Sequence, residues 1–400
     1  MDAPRVAPDD KDWWLADVES TYAWLRAEDP VHRWGDSSWV VATYEEIREV
    51  SRDQARFSSA HGVLVNDPKR VHGQRASGAP SILEMDPPQH PRYRATVSRA
   101  FTPRAVAGME PRIRELATDA LDRVPLDREI DFVEQVAVPL PLLVIAELLG
   151  MADVEQAQFR TWSDETIKAA DGLDADLGVV TEFVGYMNEG IAAHRARPRD
   201  DVLQRLVDAE VDGHRLTDDE LIVFCMSLLV AGNETTRNLI SGGALALHGE
   251  PEQRAWLAAD PVGRGAAAVE ELLRWVTPVK AFARTATTDL TLGGRRIDEG
   301  DYVVLLYASG NRDEAAFGPT AGRLDVARVP DPAHVAFGFG PHLCLGASLA
   351  RLEARVLLEQ LLTRCPQYEI TGDPQRLRST LMNGIEGLPV VLAPRGRAAA

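Results

Sequence analysis

The sequence predicts a mainly α-helical protein with a few small β-sheets. Apolar residues recur at the helical period through most of the 400 residues, strand-like runs are few and short, and one capped stretch after Thr217 is long enough to cross a whole domain.

In chain order, that period places helices at 20–28, 44–52, 90–100, 104–124, 140–149, 154–170, 176–195, 200–208, 217–248, 264–276 and 345–363. Trp39-Val40-Val41-Ala42 has the aromatic and β-branched content of a strand. His61 to Pro88, rich in Gly, Pro, Asp and Ser, reads as a long loop, and loops of that length are usually functional or mobile. Val136 to Leu149 is the longest apolar stretch; Pro139, Pro141 and Glu147 interrupt it, and it is too short to span a bilayer, so a buried helix is expected. Thr217-Asp218-Asp219-Glu220 is a capping-box start for a helix of about 30 residues, roughly 45 Å long. Leu290-Thr291-Leu292 and Arg295-Arg296-Ile297 flank Gly293-Gly294 as a hairpin, and Tyr302 to Leu306 follows as a further strand. Tyr368-Glu369-Ile370 and Leu388 to Leu392 can pair with each other.

A hydrophobic content of 45% is enough to bury a large core. Length alone suggests two or three domains, yet no Gly/Ser linker, charge block or repeat divides the chain. A single domain over 1–400 is expected, with flexible ends at about 1–12 and 395–400. The three cysteines, Cys225, Cys344 and Cys365, form no paired framework or Cys-x-x-Cys knuckle, which suits a reducing cytoplasm. Asp2, Asp9, Asp10, Lys11 and Asp12, with no apolar run, argue against a signal peptide or membrane anchor. A net charge of −18 argues against nucleic acid as a partner. Arg92, Arg94, Arg99, Arg104, Arg112 and Arg114 nevertheless crowd one region, and Arg351 and Arg355 lie later. They form either a docking patch for an acidic electron carrier or ordinary solvated helix faces.

Candidate chemistry begins at Cys344, in Phe337-Gly338-Phe339-Gly340-Pro341-His342-Leu343-Cys344-Leu345-Gly346-Ala347. A cysteine between a Gly/Pro turn and the helical pattern Leu349, Leu352, Val356 sits at a helix N-terminus, where backbone N–H groups favour a thiolate. Gly340 permits a sharp turn, Gly346 permits close approach of a flat ligand, and Phe337 can shield the sulfur. A second patch, Ala231-Gly232-Asn233-Glu234-Thr235-Thr236, interrupts the long helix with poor helix formers costing about 2 kcal/mol against alanine. It is either a packing kink or a place where a hydroxyl beside a carboxylate relays protons. Glu271-Leu272-Leu273-Arg274 puts opposite charges on one helix side, a common pattern by itself.

Taken in order, Phe-x-x-Gly-x-x-x-Cys-x-Gly, Ala-Gly-x-Glu-Thr and Glu-x-x-Arg resemble the signatures of the cytochrome P-450 family, and the likeness runs over nearly the whole chain. The resemblance implies a triangular helical prism around haem b (iron protoporphyrin IX), with Cys344 as axial ligand of the iron and Phe337, Gly346 and Ala231 against the ring. It implies Thr235 as the oxygen-binding threonine, Glu234 as its acidic neighbour, and His90, Arg94, Arg284 and His342 as partners of the haem carboxylates. Glu271, Arg274 and Arg328 would form a structural knot; Leu324 departs from the phenylalanine usual there.

The resemblance further implies a monooxygenase using O2, with electrons from a separate ferredoxin and ferredoxin reductase, and NAD(P)H acting only through them. The pocket is expected along the 61–83 loop, the 165–185 region, 228–235, 279–283 and 381–385, with Leu228, Ala231, Val279, Ala281, Phe282 and Met382 lining it. Its apolar character favours a hydrophobic substrate. Lys280 is expected either to meet a carboxylate or ketone or to snorkel to solvent. Ser81 to Tyr93 and Trp275 to Lys280 look like actinobacterial enzymes that oxidise steroid side chains, which favours steroid or terpenoid hydroxylation. Macrolide tailoring, oxidative coupling or desaturation, peroxide-driven turnover and a non-catalytic haem- or lipid-binding module stand as the other readings.

Overall fold

Local chemistry sets the helix boundaries. In the computed structural model, which describes all residues except 1–2, 68, 71–78, 99–100, 152–153, 155, 171–174, 212, 330 and 395–400, side-chain caps from Thr102, Asp176, Asp201, Thr217 and Asp260 open five of the helices. The first helices are α1 (Glu19–Glu28), α2 (Tyr44–Arg52), α3 (Gln89–Ser98) and α4 (Pro103–Asp122), the last opened by Thr102 Oγ1 accepting from Ala105 N–H. Then come α5 (Pro139–Leu148), α6 (Gln156–Ala170), α7 (Leu177–Ala196) and α8 (Val202–Val207). The expected capping box opens α9 (Asp218–Gly249): Glu220 N–H donates to Thr217 Oγ1 at 3.2 Å and Thr217 N–H to Glu220 Oε2 at 2.9 Å. The remaining helices are α10 (Pro251–Ala259), α11 (Pro261–Val276), the short α12 (Tyr307–Gly310) and α13 (Glu314–Phe317), and α14 (Ala347–Arg364). The α10 helix lies outside the expected set. Its inward surface is only Leu257, Ala258 and the stem of Arg254, too little for a periodic apolar signal.

The main sheet has the order β1 (Val31–Arg33), β2 (Ser38–Val41), β10 (Tyr302–Leu306), β7 (Ala281–Ala286) and β3 (Phe57–Ser58), with β2 and β10 parallel and the other pairs antiparallel. Side chains alternate across it. Trp39, Val41, Val303 and Leu305 face a cluster with Tyr44 and Ile47 of α2; Val40, Ala42, Val304 and Leu306 face Trp13, Trp14 and Tyr22. The expected hairpin pairs β8 (Leu290–Leu292) with β9 (Arg295–Ile297), β11 (Gln367–Ile370) pairs with β14 (Pro389–Ala393), which also takes β4 (Glu129–Asp131), and two short pairs join β5 (Glu210–Val211) to β6 (His214–Arg215) and β12 (Gln375–Arg376) to β13 (Ile385–Gly387). The β7 strand was not expected, because Ala-Phe-Ala-Arg-Thr-Ala has little β-propensity; pairing on both edges makes it a strand.

Two expectations change here. Residues 3–12 are not frayed: Ala7 is buried, Trp14 Nε1 donates to the Pro8 carbonyl at 2.8 Å, and Asp12 pairs with Arg378 at 2.7 Å. The 395–400 end lies outside the described residues. Ala281, expected in a pocket, points instead into the cluster with Trp13 and Trp14 and exposes no surface, because the β7 alternation turns it away from Phe282.

Candidate active site

The Cys344 loop is shaped by its glycines. Gly340 has φ +71°, and a Cβ there would sit 2.7 Å from the Ser51 carbonyl oxygen, so only glycine fits the turn. Pro341 and His342 continue a single 3₁₀ turn, and Cys344 N–H donates to the Phe337 carbonyl at 2.9 Å. Helix α14 begins three residues later at Ala347, as the helical spacing predicts. Cys344 shows surface although protein surrounds its thiol, so it faces a cleft inside the fold. Burial pushes the thiol pKa up; the N–H groups of Gly346 and Ala347 and the charges of Arg94 and Arg351 pull the other way.

Around that thiol the fold gathers the four residues read as anion partners. The rings of His90 (α3) and His342 are 4.0 Å apart, and the charges of Arg94 and Arg284 act on both. Arg94 donates to the Leu343 carbonyl at 2.6 Å, and Arg284, on β7, donates to the Ala283 carbonyl at 2.7 Å. Neither arginine forms an ion pair among the described residues, and the buried His90 Nε2 has no hydrogen-bond partner. Burial first, then the neighbouring arginines, lower His90 to about 4 and His342 to about 3. Ser59 Oγ, 3.3 Å from His342 Nε2, joins the cluster; no sequence pattern marks it.

In the centre of α9, the Leu228, Ala231 and Thr235 side shows surface while Leu229, Asn233 and Thr236 are buried. Thr235 Oγ1 donates to the Ala231 carbonyl one turn back, as a threonine in such a patch can. Glu234 is buried and accepts from Arg237 at 3.0 Å. Arg237 is the residue the sequence reading misses, and its i+3 spacing from Glu234 is the available signal. Its charge also reaches Glu134 and Asp164, which neighbour Arg160. A Cβ on Gly232 would meet Ile145 Cδ1 at 2.4 Å, so this glycine lets α9 lie close to α5.

Glu271 and Arg274 form the expected knot on α11. Arg274 is fully buried and uses all five donors: two to Glu271 at 2.7 Å, and three to the carbonyls of Asn311, Ala321 and Arg323. Arg328 Nε approaches Glu271 Oε2 to 3.2 Å, and Asp325 N–H donates to Oε1 at 2.8 Å. By contrast, the basic residues read as a possible patch are mostly tied up internally. Arg112 pairs with Glu147 and Glu115; Arg114 and Arg355 pair with Glu110 and Glu359; Arg351 pairs with Glu270; Arg99 lies outside the described residues.

The cytochrome P450 family profile matches residues 266–384. A methyl-branched lipid omega-hydroxylase of Mycobacterium tuberculosis is 37% identical over 402 residues, covering 95% of this chain and 92% of that protein. The chain belongs to the cytochrome P450 family. A steroid C26-monooxygenase of Mycolicibacterium smegmatis is 36% identical, covering 94% of this P450 and 93% of its own length. The structure of a Mycobacterium marinum cytochrome P450 in complex with pseudoionone superimposes with a TM-score of 0.86 at 38% identity, covering 97% of this P450 and 99% of that chain. The mainly helical P450 fold expected from the sequence is therefore the fold of this protein, and the enzyme is a P450 monooxygenase, an oxidoreductase.

Membership implies haem, and the P450's residues fit it. A cysteine opens onto an internal cleft beside two guanidinium groups without carboxylate partners and an imidazole nitrogen without a hydrogen-bond partner among the described residues, which is the donor set two buried carboxylates require. Val279 and Phe282 show partial surface, whereas Met382 is buried in a bridge to Val279, and its neighbours Leu381 and Asn383 show surface. Lys280 does neither thing expected of it: it is buried, donating to the Ser379 carbonyl at 2.8 Å with its ammonium 5.2 Å from the Trp14 ring centroid. Part of the 61–83 loop and of the 165–185 region lies outside the described residues. No helix among the described residues is long and apolar enough to cross a membrane.

Proposed function

We propose that this P450 hydroxylates a hydrophobic small molecule of steroid or terpenoid type, with Cys344 as the thiolate ligand of haem b. The observation that supports this reading most is the convergence of His90, Arg94, Arg284 and His342 around the Cys344 cleft, with the arginines lacking carboxylate partners among the described residues. When bound, haem supplies the dioxygen chemistry that inserts one oxygen atom into a C–H bond. The chain's own groups set the conditions. Burial raises the Cys344 thiol, while the backbone N–H groups of Gly346 and Ala347 and the charges of Arg94 and Arg351 oppose that rise and favour the sulfur as the anion the iron would take. The Thr235 hydroxyl, now donating to the Ala231 carbonyl, can turn to pass a proton into the cleft. Glu234, beside Thr235, is held by Arg237, whose charge also reaches Glu134 and Asp164, where burial raises the Asp164 carboxyl.

Electrons would come from NAD(P)H through a ferredoxin reductase and a ferredoxin, in the cytoplasm, at a surface that includes the exposed Arg92 and Arg104. The steroid or terpenoid choice is supported by the apolar α9 stripe and by relatives named for steroid and branched-lipid oxidation. The first test is the spectrum of the reduced protein with carbon monoxide, whose red-shifted Soret band should be lost in Cys344→Ser. Titration of the ferric Soret band with sterols, terpenes, branched fatty acids and macrolactones then tests substrate class, and a response to macrolactones alone would reject the steroid reading. Thr235→Ala should keep the spectrum but, with a ferredoxin system, divert most consumed O2 to peroxide; unchanged coupling would reject the relay.

A further inference from the structure

The apolar stripe of α9 has one polar spot. Ser227 lies one turn before Ala231 and two turns before Thr235, and its hydroxyl stands 3.4 Å from that of Ser81, which precedes the turn Ile82–Glu84. Both serines are half-buried, and Ile82, Leu83 and Leu228 around them are apolar.

The hydrogen bonds assign complementary roles to the two hydroxyls. Ser227 O–H donates to the Val223 carbonyl at 2.8 Å, so its oxygen has only acceptor capacity left. Ser81 Oγ accepts from Leu83 N–H at 3.4 Å, and with the Ser227 proton on Val223 the Ser81 proton is the one available between the two hydroxyls, across a gap too long for a good O–H···O bond. The pair therefore offers one weakly engaged donor beside one free acceptor. A ligand hydroxyl, which accepts and donates at once, satisfies both. A ketone satisfies only Ser81, and a hydrocarbon neither.

We propose that Ser81 and Ser227 anchor a hydroxyl group of the substrate, at the opposite end of the cleft from Thr235. This rests on Thr235 marking the reacting end. Eight residues of helix at ~1.5 Å each separate Ser227 from Thr235, so the oxidised carbon lies roughly 12 Å from the anchored hydroxyl. The enzyme thus takes an elongated alcohol and oxidises it near its far, apolar end.

The test compares a 3β-hydroxysterol, the matching 3-ketone and the matching hydrocarbon, all with the same branched side chain, by calorimetry on the haem-loaded enzyme. A second series compares a long-chain primary alcohol with its alkane. The alcohol should bind about tenfold more tightly than the hydrocarbon, with the ketone between. In Ser81→Ala and Ser227→Ala the ratio should fall toward one, and product analysis should place the new hydroxyl on the side chain. Equal Kd values across a series, a preference that survives both substitutions, or no binding in either series would overturn it. The carbon monoxide spectrum stays independent of these results, so loss of the anchor leaves the haem-thiolate reading standing, and loss of the spectrum strikes that reading first.

Discussion

Single side chains decide charge in the interior of this P450. Glu353, on α14, is buried, and its Oε2 makes no hydrogen bond among the described residues. Desolvation raises its carboxyl from 4.5 to about 8. Between those values the folded chain keeps a proton that the unfolded chain releases, so Glu353 lowers stability increasingly as pH rises through that window. At pH 7 the cost is about 3 kcal/mol. Urea unfolding of Glu353→Gln should therefore show a gain over the native chain that is small near pH 5 and largest near pH 8. A gain that does not change with pH would mean that the carboxyl ionises normally. Burial raises Cys344 as well, but there N–H groups and arginines oppose it, and Glu353 has no such help. That contrast is invisible in the sequence. The motif marks Cys344, while Glu353 occupies an unremarkable position midway between Arg351 and Arg355, and only packing shows that it faces inward.

At the scale of elements, the knot on α11 ties together segments that no local signal connects. Arg274 holds three backbone carbonyls from the stretch 311–323 and neutralises Glu271, which in turn receives Asp325 N–H and the Arg328 charge. Removing the guanidinium strands a buried carboxylate and three carbonyls, a loss of about 3–5 kcal/mol. Arg274→Leu should fail to accumulate folded protein. Arg274→Lys should rescue little, because three ammonium donors cannot meet five acceptors laid out for a planar fork. Expression yield and the unfolding midpoint measure both, and near-native stability of the lysine variant would show that charge alone matters. The Glu-x-x-Arg spacing pointed to this pair, and Arg328 followed from the resemblance. The carbonyl partners did not, because backbone acceptors leave no trace in side-chain identity. For the same reason the long capped helix α9 was legible from Thr217 and Glu220, whereas β7 was not. Its strand character comes from β10 and β3, distant in sequence.

At the scale of the whole molecule, the N-terminal segment closes one face of the main sheet and reaches the pocket wall. Trp14 is buried against Trp13, with ring centroids 4.7 Å apart, and lies beneath the Lys280 ammonium. Lys280 in turn holds the Ser379 carbonyl, and the Ser379 hydroxyl accepts from Leu381 and Met382 N–H at 3.1 and 3.0 Å. The first residues of the chain thus steady the 379–383 turn through one aromatic ring and one cation. A polar, acidic start with no apolar run suggested a loose end, because Trp13 and Trp14 show their packing only once the sheet supplies Val40, Val304 and Ala281. Trp14→Ala removes a large buried side chain and the π-face under Lys280, and should cost about 3–5 kcal/mol in urea unfolding. Trp14→Phe keeps a ring and should recover most of that. If the ring also steadies the turn, Trp14→Ala should weaken binding of the best Soret-shifting compound several-fold at a temperature where the variant remains fully folded. Lost stability with unchanged Kd would confine Trp14 to the core and separate the N-terminal segment from the pocket.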